Sequence, residues 1–307
     1  MSKYQISKEF FPYSRFTPPF RNAKVAGFIG SLLKAPKRIW KDKEISILKE
    51  KIISYDGNSF DVLIISPKNE ENKLPCLVYY HGGGFFLGAA TYHYQLAKKY
   101  ALNANCKVIF VQYRLTPKNP YPAPLEDCFY ALKWTFENAN TLNIDSTKIA
   151  VGGDSAGGCL AASVCQLARD RNLNPILFQL LIYPVIDFQM DTESNRKYND
   201  TPMWNSRLSK IMWDAYLKKS NLEINYASPI YAKSLKNLPD AYIETAEFDC
   251  LHDEAIIYAN ALVNNDVAVE INETKQTMHG FDIVQKSSIT INAVNKRIEY
   301  MKKQFLK

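Results

Sequence analysis

Two rhythms of apolar residues alternate along most of this chain. Short continuous apolar runs at 75–80 (PCLVYY), 107–113 and 148–151 predict strands buried on both faces. Amphipathic or alanine-rich stretches at 91–103, 125–137 and 159–171 lie between them and predict helices. That βαβ alternation predicts a mostly parallel sheet with right-handed crossovers. Further along, 176–187, 240–247 and 267–274 read as core strands, and 251–264 and 289–305 as helices. Ahead of them all, 44–54 and 59–66 flank Asp56-Gly57-Asn58, a turn signal that predicts an antiparallel hairpin at the sheet edge.

Two segments break the rhythm. Residues 1–43 open with the proline-broken FFPYSRFTPPF and continue into a short apolar helix ending at Pro36 among basic residues. Residues 188–225 interrupt the strands with one strong helix, 208–219, whose apolar face carries Met212, Trp213, Tyr216 and Leu217. The resulting plan is 1–43, N-terminal part of a cap; 44–187, core; 188–225, inserted part of the cap; 226–307, core. The cluster Lys34, Lys37, Arg38, Trp40, Lys41 and Lys43 has the make-up of a membrane-surface segment. Its apolar part is short, so packing over a site with the lysines in water is the stronger reading, and membrane docking is not expected.

Composition narrows the classes. The 307 residues suit one large α/β domain with a lid, and 47% apolar with 22% charged residues are ordinary globular values. A net charge of +7 is spread over scattered lysines, so nucleic acid is not an expected partner. Neither a signal-peptide core at the start nor an apolar run of roughly 20 residues occurs, and the expected address is the cytoplasm. Cys76, Cys128, Cys159 and Cys165 sit inside apolar patterns and read as reduced, buried thiols. His81, His93, His252 and His279 are not at metal-ligand spacings and no C-x-x-C occurs, so no metal is expected.

The chemistry concentrates in Gly152-Gly153-Asp154-Ser155-Ala156-Gly157-Gly158, between a strand and a helix. A turn that sharp strains its apex and brings strand and helix too close for side chains, which Gly153 and Gly157 remove. The pattern G-x-S-x-G with Ser155 at its apex predicts a nucleophile elbow. A phosphate cradle fits less well: no G-x-G-x-x-G occurs, and Gly83 and Gly88 lack the Lys-Ser/Thr of a P-loop. A second cluster, His81-Gly82-Gly83-Gly84-Phe85, follows a core strand and leaves main-chain amides open to a ligand. Gly83, Gly84 and Ala156 are the candidate oxyanion donors. Ser155 needs a base, and His279 needs a carboxylate to set its tautomer. Asp249, at a strand end, is the first choice, with Asp253, Glu254 and Asp187 as rivals. His81 is expected to fix its loop, His93 and His252 to be packed or solvated helix residues, and Glu126 and Asp127 to serve helix amides and pair with Arg114.

The ordered motifs HGGGF, YRLTP, GDSAGG, Ala227-Ser228-Pro229, EFDCLHDE and HGF, spanning 75–281, resemble the hormone-sensitive lipase family of α/β-hydrolase serine esterases. The resemblance implies a mostly parallel eight-stranded sheet flanked by helices, with a two-part helical cap. It also implies a triad of Ser155, Asp249 and His279, an oxyanion hole at Gly83, Gly84 and Ala156, and no cofactor. Cys250 and Ala255 stand where that family usually has proline and glycine, a difference in loop geometry rather than chemistry. The expected activity is hydrolysis of short-chain esters, acetyl to hexanoyl, through an acyl-enzyme. The expected partner is a small-molecule ester, and the last strand and helix allow a homodimer. The alternatives are a non-catalytic small-molecule receptor on the same scaffold, against which an intact triad argues, and an amidase or deacetylase, which elbow residues do not separate from an esterase.

Overall fold

The computed structural model describes residues 3–32, 41–68, 70, 72–218 and 224–307. Its eight described strands are β1 (Ile45–Ile53), β2 (Ser59–Pro67), β3 (Leu74–Tyr80), β4 (Lys107–Gln112), β5 (Ile144–Asp154), β6 (Phe178–Ile182), β7 (Asp240–Phe248) and β8 (Val269–Met278). They form one sheet in the order β1-β2-β4-β3-β5-β6-β7-β8. Only β2 runs against its neighbours, pairing antiparallel with both β1 and β4. The hairpin closes at Gly57, whose φ of +76° sits in the left-handed region that glycine enters without a Cβ clash.

The described helices are α1 (Ala23–Leu32), α2 (Thr91–Asn103), α3 (Ala123–Glu137), α4 (Ala156–Asp170), α5 (Glu193–Lys197), α6 (Ser206–Leu217), α7 (His252–Val263) and α8 (Ser288–Phe305). Helices cover both faces of the sheet, which is why its central strands are apolar without alternation. Successive side chains of a strand enter opposite layers. Val78 and Tyr80 join Leu132 of α3, Leu160 of α4 and Leu262 of α7, whereas Leu77 and Tyr79 join Leu96 of α2 and Met301 of α8.

Several boundaries differ from the sequence expectation for local reasons. The connection after β5 is a single residue rather than seven, because β5 runs through Asp154 and α4 starts at Ala156. Helix α3 begins at Ala123, since Pro124 falls in its first turn, where a missing N–H costs nothing. Strand β6 ends at Ile182, not near Asp187: Tyr183 has φ +32° and Pro184 has no N–H to donate. Strand β8 extends to Met278, so His279 leaves it directly. Helix α6 ends at Leu217, with Lys218 left-handed at its C-cap. Lys34, Lys37, Arg38 and Trp40 lie outside the described residues.

The segment before β1 and the insertion after β6 touch each other at the carboxyl end of the sheet. Met203 N–H donates to Phe16 O at 2.6 Å, and Lys3 and Tyr4 both bind Asp200. Helix α1 lies so close to the loop after β3 that a Cβ on Gly30 would fall 2.2 Å from Phe86 O. Helix α6 lays Tyr216 flat on Phe85, with ring centroids 3.9 Å apart.

Candidate active site

The elbow forms because two backbones are forced together. A Cβ on Gly157 would fall 1.9 Å from Tyr80 O, and one on Gly153 would fall 2.4 Å from the Gly157 carbonyl. Only glycine fits at either position. Ser155 sits between them at φ +56°, ψ −119°, a conformation that side-chain-bearing residues rarely adopt. It is held there by its N–H on Ile182 O at 2.8 Å and by its carbonyl, which accepts from Cys159 and Val185.

His279 Nε2 lies 2.8 Å from Ser155 Oγ, and its Nδ1 lies 2.6 Å from Asp249 Oδ2. All three side chains are buried. Asp249 Oδ1 also accepts from Leu251 N–H at 3.0 Å, which fixes the carboxylate. The imidazole is packed edge-on against Tyr183 at 4.8 Å, with Trp204 at 6.0 Å. Such a line can take a proton from the hydroxyl and spread the resulting positive charge toward the carboxylate. Each rival acid is occupied elsewhere. Glu254 accepts from Ile186 N–H and Asn195, Asp253 from Ser194 N–H and His252, and Asp187 from Gln189 N–H and Tyr231. Burial pushes the Glu254 carboxyl well above the usual range despite those donors.

The loop after β3 turns back over the elbow. Gly83 (φ +123°) and Gly84 (φ +59°) are both in the left-handed region, and Gly83 O accepts from Phe86 and Leu87. Among the described residues, none accepts a hydrogen bond from the amides of Gly83, Gly84 or Ala156. The Ala156 amide also opens α4, where the helix dipole favours negative charge. A Cβ on Gly84 would meet the Trp204 indole at 2.7 Å.

Beneath the loop lies a cluster that sequence reasoning missed. Asp154 Oδ1 accepts from Tyr79 OH at 2.6 Å and from Gly82 N–H at 3.0 Å, while Oδ2 faces His93 Nε2 at 3.1 Å. Ala90 N–H donates to His93 Nδ1 at 2.9 Å, which leaves the ring proton on Nε2, toward the carboxylate. Burial opposes the charge on Asp154, but His93 and the Tyr79 hydroxyl outweigh it and bring the carboxyl down to about 2. The carboxylate therefore ties the glycine loop to the elbow. A carboxylate inside an otherwise apolar strand end was the available signal. His93 is packed as expected, but as a partner of Asp154. His81 is buried, stacked on Tyr113 at 4.5 Å, and its Nδ1 lies 2.8 Å from Gly82 O. Burial, with His93 nearby, pushes its pKa down to about 4. Asp127 pairs with Arg114 as expected, but Glu126 pairs with Arg171 instead, because the turn of α3 points it toward the end of α4.

A cavity of about 170 Å³ opens onto Ser155 and His279 and is walled by Pro18, Phe20, Leu87, Met203, Trp204 and Ile283. Trp204 and Tyr183 were not singled out from the sequence. No described helix is long and apolar enough to cross a membrane, and all six cysteines are buried and unpaired.

The sheet order, the serine elbow and the His-Asp pair define the class. The chain belongs to the alpha/beta hydrolase fold family, whose pattern matches residues 77–283. It is 36% identical over 258 residues to carboxylesterase NlhH of Mycobacterium tuberculosis, covering 81% of this chain and 79% of that one. An ethyl acetate hydrolase of Pseudomonas putida is 32% identical, covering 74% and 72%. The solved structure of a bacterial heroin esterase superimposes with a TM-score of 0.86 at 30% identity, over 98% of both chains. These relatives bear out the resemblance to hormone-sensitive lipase-like esterases.

Proposed function

We propose that this chain, an ester hydrolase by its relatives, cleaves short-chain carboxylic esters through an acyl-enzyme on Ser155. One observation carries the reading: the continuous line Ser155 Oγ, His279, Asp249 with gaps of 2.8 and 2.6 Å. His279 removes the serine proton as Oγ attacks the ester carbonyl, and Asp249 stabilises the imidazolium. The amides of Gly83, Gly84 and Ala156 receive the oxyanion, an interaction that strengthens as charge develops. His279 then gives its proton to the departing alcohol, and in the second half activates water against the acyl group. Side chains, backbone amides and water are sufficient for every step.

The acyl preference is acetyl to hexanoyl. An engineered apolar cavity of about 150 Å³ takes up benzene, so a pocket of about 170 Å³ holds a group of similar size. The segment before β1 and the insertion carrying α5 and α6 serve as the two halves of a cap, because Pro18 and Phe20 come from the first and Met203 and Trp204 from the second. The test is hydrolysis of nitrophenyl acetate, butyrate, octanoate and palmitate by the purified protein and by Ser155→Ala. Turnover of the short esters that vanishes in the variant supports the reading. A folded wild type that turns over none of them refutes it.

A further inference from the structure

We infer that Arg297, on α8 and remote from the pocket, is a positioning residue for His279, a conclusion that rests on the Ser155 reading above. Arg297 is fully buried, and every one of its N–H groups has an acceptor. Nε and Nη2 bind the two oxygens of Glu244, Nη1 and Nη2 bind Asp282 at 2.8 and 3.2 Å, and Nη1 also reaches Tyr100 OH at 3.2 Å. Burial works against the guanidinium charge, and the two carboxylates more than restore it.

The two carboxylates that Arg297 holds lead to the histidine by separate routes. Asp282 stands three residues after His279 on the same loop, and its Oδ2 accepts from Tyr183 OH at 2.9 Å. Glu244, through its main-chain carbonyl, accepts the N–H of that same Tyr183 at 2.7 Å. Tyr183 is thus clamped at its backbone and at its hydroxyl, and its ring is the one packed edge-on against the His279 imidazole. Arg297, Glu244, Tyr183 and Asp282 form a closed ring of hydrogen bonds with His279 at its rim.

Stability alone is a poor reason for this cluster. Replacing a buried charge triad with apolar side chains is often neutral or stabilising. The His279 loop, by contrast, has a need that Asp249 does not meet. Gly280 follows the histidine at φ +69°, and the space where a Cβ would stand is open, so no side chain at that position packs the loop in place. Asp249 fixes only Nδ1, whereas proton transfer also requires Nε2 to stay aimed at Ser155, and displacement by about 1 Å costs on the order of 100-fold in rate.

The test compares Arg297→Met, Arg297→Lys and Asp282→Asn with wild type, using nitrophenyl butyrate. Active sites are counted by the acyl-enzyme burst, kcat is expressed per counted site, and KM and Tm are recorded beside it. Neither substituted side chain lines the pocket, so KM is expected within about twofold of wild type, with kcat per site down about 100-fold in Arg297→Met. Lysine, which cannot grip both carboxylates, recovers part of that loss. If Arg297→Met does not fold, Asp282→Asn, which keeps shape and volume, carries the test with an expected loss of about tenfold. Variants with a lower Tm or fewer counted sites but wild-type kcat per site, or with the loss in KM alone, overturn the inference. Turnover that persists in Ser155→Ala overturns the Ser155 reading itself, and the two failures are thereby distinct.

Discussion

Replacing Gly157 by alanine tests how tightly the elbow depends on backbone contact. The added Cβ would fall 1.9 Å from Tyr80 O and 2.8 Å from His81 O, where ordinary contact begins at 3.4 Å. The shortfall is about 1.5 Å against main-chain atoms, which no rotamer change relieves. Either α4 or the end of β3 must move, and those two elements carry Ser155 and the glycine loop. Overpacking of this kind costs about 1–3 kcal/mol. At roughly 2 cal/mol/K per residue, that lowers the Tm of a chain this long by about 2–5 °C. The separation of nucleophile and oxyanion donors changes as well, so kcat is expected to fall about 100-fold or more. Gly57→Ala is the control: its φ of +76° strains an alanine backbone without any overpacking, since nothing lies within 4 Å of the new Cβ, and it sits in the β1–β2 turn. It should lose about 1 kcal/mol and no activity. Thermal melts and nitrophenyl butyrate kinetics on both variants decide the matter. Wild-type kcat in a folded Gly157→Ala would refute the reasoning.

Three further outcomes are expected. Asp249→Asn leaves the shape of the acid intact but favours the wrong histidine tautomer, and kcat should fall about 10⁴-fold in steady-state assays. The buried His81, held down to about 4 from an ordinary 6.5, binds fewer protons folded than unfolded between those values. Its contribution is complete above pH 6.5 and is lost as pH falls toward 4, about 3 kcal/mol in all; urea melts across that range should show a flatter pH dependence in His81→Phe. Trp204→Ala, which opens the pocket wall against Gly84, should raise octanoate over butyrate in kcat/KM by about tenfold or more, read from the nitrophenyl series.

The succession of strands and helices along the chain, the edge hairpin and the elbow were legible because each rests on local signals: apolar period, a turn triplet, and glycines on both sides of a serine. Ser155, Asp249 and His279, singled out from strand ends in the sequence, stand within hydrogen-bonding distance of one another. What was not legible depends on tertiary partners. The clamping of Tyr183 is one case: its N–H goes to Glu244 O and its hydroxyl to Asp282, partners that no window around Tyr183 encodes. Asp154 reads as part of a turn until Tyr79, Gly82 and His93 converge on it from three other segments. Arg297 did leave a trace: Ala293, Arg297 and Met301 repeat at a spacing of four, which places a basic residue on the apolar stripe of α8. Its partners on β7 and the His279 loop come from elements remote in sequence, so the trace had no meaning before the fold.

The most direct measurement is to quench the protein in acid during turnover of nitrophenyl acetate and locate the acyl group by peptide mass spectrometry. The expected result is one acetyl group on the peptide containing Ser155 in wild type and none in Ser155→Ala. Acetylation at another residue, or turnover that persists in Ser155→Ala, would contradict the central claim.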